Sequence, residues 1–453
     1  PEPAHFLSVG IYAPPSNNQL QRRKVCYMSV SRIALGLLVL LALVGAPLAA
    51  QDQITLIVWD HLGSPAGADG PDPIQAIYDQ FMAENPNITI RREVIQAQEM
   101  ENIVPTALAS GEGPDIVYYD ITPARNLFRG GLILPLDSYA EQYGWFDRVS
   151  ESGLRWVLFD GQFAGMPIES EFVGVFVNND VFEAEGWDVP TNLEETLAYC
   201  RAASAAGYVP FAHGQNPGWQ NFFSFTMPLH NTVGAEWVAA RAFDDVGTWE
   251  DPGVVQALTF FYRDMRDAGC FDPDVNGIDW QTQQDLFYSG EAPLFPTGTW
   301  VVGEIDNQMP DANVTMMPFP EMVPGMTRTF TVGMGSAWFI NAGSANPDAA
   351  AMLLDFIISD FGVQQLVEVA GFVPPVELDD DAFELTPLKR FVIETLAGTG
   401  DIVDEVDFGY NVDVLAPLPF NTVLQRSLQQ LMADEKTPEQ VAAELEQAWE
   451  ENQ

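Results

Sequence analysis

Three observations in the sequence predict an α/β chain of two lobes joined by crossover segments. At 453 residues the chain is too long for one ordinary core. Between Ile54 and Tyr119 it alternates strand-like and helix-like stretches, the order of an open α/β sheet. The segment from Gly161 to Asp180 opens on a Gly-rich turn and carries Glu169 and Glu171 on either side of Ser170. It then becomes the run Phe172–Val177, apolar and β-branched or aromatic except at Gly174, which reads as a buried strand entered from a crossover.

Composition narrows the class. Hydrophobic residues make up 47% and aromatics 11%, which excludes wholesale disorder. Lys and Arg number 19 against 64 Asp and Glu, a formal charge of −45 that repels nucleic acid and anionic membrane, so no nucleic-acid partner is expected. Residues 1–50 read as a leader and signal peptide. Arg22, Arg23, Lys24 and Arg32 precede the apolar run Ile33–Val44 and then a small-residue stretch to Ala50. That run is shorter than the ~20 residues a bilayer span requires. The exported part is expected in the periplasm or outside the cell, where Cys200 and Cys270 could form a disulfide. Cys200 shares a helical face with Leu193 and Leu197, so two buried thiols are the alternative, and the sequence leaves both open.

Taken in order, Ile54–Trp59 reads as a buried first strand ending at Asp60 and His61. Asp72 and Pro73 supply an N-cap and a first-turn proline for a helix with Ile74, Ile77, Tyr78, Phe81 and Met82 at helical spacing. Strands follow at Ile88–Val94 and Ile116–Tyr119, with a helix over Ile103–Ala109 between them. Ligands of such sheets collect beyond the carboxyl ends of strands, here the loops after Trp59 and Tyr119. Past the crossover, Thr191–Glu194 is a capping box opening the helix that holds Cys200. Val254–Ala268 reads as a helix, Ala292–Phe295 as a strand, Val314–Met317 as a strand leading back, and Val332–Ile340 as another. Asn346-Pro347 starts a helix with Leu353, Leu354 and Ile357, Gly371–Pro375 reads as a third crossing, and Thr437–Gln440 caps a final helix.

Several blocks of this chain, in shared order, resemble extracellular solute-binding proteins of the maltose-binding-protein family, the capture subunits of ABC importers for carbohydrates. They are Gly113-Pro-Asp-Ile116, Leu134-Pro-Leu-Asp137, Asp160–Pro167 with Val177–Phe182, Pro190–Glu195, Gly298-Thr-Trp300 and Asn346–Ala350 with Leu353–Phe356. The resemblance runs from about Thr55 to Ala448. It implies a two-lobe periplasmic-binding-protein fold of class II type, with a ligand cleft between the lobes and three crossovers. The implied division is 51–168 and 319–371 for the first lobe and 169–318 and 372–453 for the second. It also implies a sugar ligand, an ABC permease as partner, a monomer, no cofactor and no catalysis.

Sugars present hydroxyl edges and apolar C–H faces, so a site needs carboxylate or amide groups together with aromatic plates. In the first lobe the candidates are Trp59, Asp60 and His61 at one strand end, and Tyr119 and Asp120 at another. Glu169 and Glu171 share one face of an extended crossover, and Glu171 aligns with the glutamate that meets the sugar in the resembled family. Trp219 and Trp300 align with that family's aromatic plates, and Met334 and Phe372 complete the candidate set beside Trp280 and Trp338, for which core packing is the competing role. The four histidines show no paired metal spacing. Asp272–Gly277 copies the beginning of a calcium loop, but position two is Pro273 and position twelve is Gln283 rather than Glu, so no metal is expected. Two rival readings are a two-lobe receptor for a polyamine or metal ion, and a glycoside hydrolase using Glu169 and Glu171. The second is disfavoured because hydrolytic carboxyls bracket the scissile bond, whereas these stand on one strand face.

Overall fold

Strand β1 (Ile54–Asp60) buries Leu56, Val58 and Asp60 on one face, the period of two that a pleated strand imposes. It pairs in parallel with β2 (Ile88–Val94) and with β3 (Ile116–Asp120). This is a computed structural model that describes residues 53–63, 72–216, 218–333, 335–378, 382–399 and 406–452. The expected leader and signal peptide, residues 1–50, lie outside the described residues. The helix Pro73–Glu84 joins β1 to β2, capped by the Asp72 carboxylate, which accepts from the Gln75 N–H at 2.9 Å. Ile74, Ile77, Tyr78 and Phe81 are its buried stripe.

The first sheet is completed by β4 (Gly165–Met166) and a strand that returns from the second lobe, Ser336–Ile340, in the order β2-β1-β3-(336–340)-β4. The returning strand is antiparallel to both neighbours because the chain comes into it from the cleft, whereas β3 and β4 run toward the cleft. The second sheet is built on β5 (Glu171–Asn178), whose Val173, Val175 and Val177 face one core while Phe172 and Phe176 face another. Antiparallel to β5 lie β6 (Leu294–Gly298), β7 (Val314–Met317) and β8 (Arg328–Gly333). The returning strand of the first sheet is β9, and β10 (Val406–Tyr410) adds in parallel to β8.

The first crossing is therefore Met166–Glu171. The second lies between Gly333 of β8 and Ser336 of β9, and this corrects the expected boundary at 318/319. Val314–Met317 does not lead back to the first lobe. It flanks β5, and a turn near Met326 sends the chain into one more strand of the same sheet. The third crossing stays against the first lobe as far as Val376, which bridges Val149, and the Ser150 N–H donates to the Pro375 carbonyl at 2.7 Å. Just before it, Gly303 of the second lobe lies so close to the Ala370 carbonyl that a Cβ there would stand 2.2 Å from the oxygen.

Cys200, in the helix Leu193–Ala206, is bonded to Cys270, 70 residues on, so the disulfide alternative is the one found. Closing a loop of that length restricts the unfolded chain by about 4 kcal/mol on the chain-entropy account.

Candidate functional site

Strand ends converge on the cleft. The carboxyl ends of β1, β3, β6, β8 and β10 and the amino end of β5 all meet there, which brings His61, Asp120, Trp300, Gly335, Asp413 and Glu171 around one cavity of about 1000 Å³.

On the first lobe, Ile116, Tyr118 and Asp120 occupy one face of β3 and Val117 and Tyr119 the other, so Tyr118 and Asp120 line the cleft while Tyr119 is buried in the lobe's core. The Ser336 hydroxyl donates to Asp120 Oδ1 at 2.6 Å and stands 3.3 Å from His61 Nε2, forming a short polar relay across β1, β3 and β9. The His61 ring packs on Tyr118 with centroids 5.0 Å apart. Burial pushes His61 below its ordinary value against the pull of Asp120 and Asp60, so it stands as neutral imidazole near pH 7.

Besides Tyr119, two more expected residues are placed elsewhere. Asp60 is fully buried, and its carboxylate takes both Arg92 Nε and Nη2 at 2.8 Å, a bidentate ion pair between neighbouring strands. Trp59 points to the other side of β1 and packs on the first-lobe core. Alternation sends the two to opposite faces of β1, and the first lobe covers both faces, so neither side chain reaches the cleft. Met334 lies outside the described residues.

The first crossing supplies the carboxylates. Glu169 is 5% exposed and lines the cavity, and its Oε1 has no hydrogen-bond partner among the described residues. Glu171 Oε1 accepts from the Gly335 N–H at 2.7 Å, which ties the first crossing to the second. The Ser170 N–H donates to the Val373 carbonyl at 2.6 Å, which ties the first to the third. The three crossings thus run side by side directly beneath the two acids. Burial, reinforced by Glu171, pushes Glu169 well above the carboxylate range. Burial, reinforced by Asp120 and Asp413, pushes Glu171 up to about 8.

Sequence reasoning missed Asp413. Burial and then Asp120 push it up to about 7, and its Oδ1 is buried without a hydrogen-bond partner among the described residues. It follows β10 in the turn Val412–Leu415, whose backbone accepts from Thr122 of the first lobe at 3.4 Å. The available signal was its position just past a strand, the criterion already applied to Asp120.

The second lobe contributes the plates. Trp219 and Trp280 stand with ring centroids 5.0 Å apart, and Trp219 and Trp300 6.2 Å apart, all half-buried at the cavity wall. Trp300 sits in the turn Thr299–Val301, and a Cβ on Gly298 would meet its ring at 1.9 Å, so only glycine lets the ring fold back over the strand end. Trp280, the weaker expectation, lines the cleft, whereas Trp338 is fully buried in the first-lobe core. Phe372, 9% exposed, closes the floor beside the third crossing. On one wall Glu304 accepts from Tyr288 at 3.0 Å and from Gln284.

Aromatic faces on one wall and hydrogen-bond acceptors on the other suit a ligand with apolar faces and donor edges. Among the described residues no group of three or more His, Cys, Asp or Glu is arranged to hold a metal ion.

The comparisons agree with this architecture. A solved structure described as a chitin oligosaccharide binding protein superposes with a TM-score of 0.76 at 20% identity, covering 89% of this chain and 99% of its own. The maltotriose-binding protein of Pyrococcus abyssi is 22% identical over 308 residues, 66% of this chain and 62% of that one. A probable sugar-binding periplasmic protein of Brucella suis biovar 1 is 22% identical over 355 residues, 76% and 82% of the two chains. The family model described as bacterial extracellular solute-binding protein matches residues 67–362. With two lobes, three crossings and a cleft at the strand ends, the chain belongs to the bacterial extracellular solute-binding protein family.

Proposed function

We propose that this protein is the sugar-capturing subunit of an ABC importer. Exported by its N-terminal signal peptide, it works as a monomer outside the cytoplasm, closes its lobes over a mono- or oligosaccharide and presents the closed form to the permease. The observation that carries this reading is the pairing of Trp219, Trp280 and Trp300 with buried carboxylates across a single cavity. At about 1000 Å³ that cavity is at the upper end of the ~300–1,000 Å³ usual for small-ligand sites, roomy enough for more than one sugar ring. Glu169 and Glu171 stand two residues apart on one extended segment, an arrangement for holding a ligand rather than for bracketing a glycosidic bond.

A thermal-shift and calorimetric panel of mono- and oligosaccharides tests the reading. A bound sugar at a hundred times its Kd stabilises the native state by ~2.7 kcal/mol, a clear rise in the unfolding temperature. No stabilisation by any sugar, with a gain from ferric ion or polyamines, would replace the sugar receptor by a receptor for another solute.

A further inference from the structure

The cleft is one-sided in its charge. Eight of the described residues lining it are Asp or Glu and none is Lys or Arg. Some of these acids are answered locally, Asp72 by Arg92 and Glu304 by Gln284 and Tyr288. Four are gathered at the crossings, namely Glu169, Glu171, Asp120 and Asp413, and the groups facing them from neighbouring elements are His61 on the loop after β1 and Tyr118 on β3. Neither supplies a positive charge. Among the described residues the donors to the four acids are the Gly335 N–H to Glu171, the Ser336 hydroxyl to Asp120 and the backbone N–H groups of Asp413 and Val414 to the Asp413 carboxyl, whereas Glu169 Oε1, nine-tenths buried at the cavity wall, has none.

A neutral sugar can donate its hydroxyls to these carboxyls, but it brings no positive charge to offset four clustered acids, and a buried carboxylate without a counter-charge costs free energy. A compact organic cation supplies the missing charge, and an ammonium group adds three donors that hydrogen-bond to carboxylates at ~2.7–2.9 Å. A metal ion would need the oxygens drawn into one coordination sphere, an arrangement not found among the described residues.

We propose that the ligand of this cleft is an amino sugar or a short oligomer of one, with its protonated amine among Glu169, Glu171, Asp120 and Asp413 and its rings on Trp219, Trp280 and Trp300. This rests on the sugar-receptor reading and names the class of sugar. The raised proton affinities of Glu169, Glu171 and Asp413 belong to the empty cleft, where these three acids hold protons for want of a cation. Seating an ammonium there displaces those protons, so capture releases protons to solvent and weakens as pH falls.

The test is titration calorimetry of the ligand-free protein with the β-1,4 disaccharide of glucosamine, its N-acetylated counterpart, cellobiose and spermidine, at pH 7.0 and 5.5, with glucosamine and galactosamine as monosaccharide probes. The pH 7.0 series is run in two buffers of different ionisation enthalpy. The amine-bearing sugars are expected to bind at least ~30-fold more tightly than the acetylated or hydroxyl counterparts. They are expected to release protons and to lose about tenfold in affinity per pH unit for each proton displaced. In the Glu169→Gln/Glu171→Gln variant, checked for an intact unfolding transition, the ratio of amino-sugar to neutral-sugar affinity falls toward one. Equal or tighter binding of the neutral sugars, or amine binding without proton release, overturns the inference and leaves the sugar-receptor reading standing. Binding of spermidine alone, or of nothing in the panel, overturns both.

Discussion

The empty cleft should make the protein less stable as pH rises from 6.5 to 8.5, a range in which exposed carboxylates are already ionised. In the unfolded chain Glu171 releases its proton near the ordinary value of 4.5, whereas the folded cleft holds it to about 8, Glu169 shifts in the same direction, and Asp413, held to about 7 rather than 3.8, adds a smaller contribution at the lower edge of the window. Between those limits the folded state carries protons that the unfolded state has lost, so the stabilisation present below pH ~4.5 is removed progressively up to the folded value. Each retained proton contributes a slope of about −1.4 kcal/mol per pH unit. The histidines act in the opposite sense at the lower edge of this window. Burial depresses His213 to about 3 and His230 to about 4 and lowers His61, so their contribution rises with pH as the unfolded imidazoles titrate around 6.5 and is nearly complete about one pH unit above that, where the carboxyl slope stands alone. Water in the cleft screens part of the carboxyl effect, which leaves an expected loss of about 2–4 kcal/mol across the window. Urea midpoints of ligand-free protein at pH 6.5, 7.5 and 8.5 and constant ionic strength read it directly. Glu171→Gln keeps an acceptor for the Gly335 N–H but removes one proton, so its slope should be about half that of the parent, with a higher midpoint at pH 8.5. A midpoint that holds or rises over the window, or an unchanged slope in the variant, would refute the reasoning.

Three other outcomes follow from the packing. Replacing Cys200 and Cys270 together by serine should lower stability by about 4 kcal/mol in urea unfolding, since the bond closes a 70-residue separation, and should leave ligand affinity nearly unchanged. Arg92→Met should cost ~3–5 kcal/mol by stranding the fully buried Asp60, and the double change with Asp60→Asn should recover most of it in the same assay. Gly298→Ala should force the Trp300 ring away from its place, at a cost of ~1–3 kcal/mol, with at least ~10-fold weaker ligand binding measured by tryptophan fluorescence.

Local pattern carried much of the fold. The Asp72 cap, the Pro73 start and the Ile74/Ile77/Tyr78/Phe81 stripe needed no tertiary information, and each is present as written in the sequence. The same rule of alternation, applied strictly, would also have separated Tyr118 from Tyr119 and Trp59 from its neighbours. Motif proximity instead grouped adjacent residues that a strand must send to opposite faces. The second crossing was misplaced for a different reason, because the short strands Val314–Met317 and Arg328–Gly333 carry no local mark of the sheet they join, and only hydrogen bonding to Glu171–Asn178 tells which sheet owns them. Asp413 was the hardest to see. It reaches the cleft through β10, whose place beside β8 is set by long-range pairing rather than by anything in its own segment.

The stitching of the crossings explains why this chain places acids where a simple connector would suffice. Closure of two lobes requires backbone rotation in Pro167–Ser170, Gly333–Ser336 and Gly371–Val376, and these strands of chain are held to one another by the Glu171–Gly335 and Ser170–Val373 bonds. A ligand that engages Glu169 and Glu171 acts on the residues that carry those bonds. Its charge therefore changes the protonation and hydrogen bonding of the hinge itself, and differential affinity for the closed form arises at the point where the lobes turn. A ligand held only by the Trp219, Trp280 and Trp300 plates would bind the second lobe and leave the hinge acids protonated and unmoved. On this argument the plates set affinity for the sugar body and the crossings decide whether the protein closes, so a plate variant should weaken binding at every pH, whereas a Glu171 variant should weaken it in proportion to the protons no longer released.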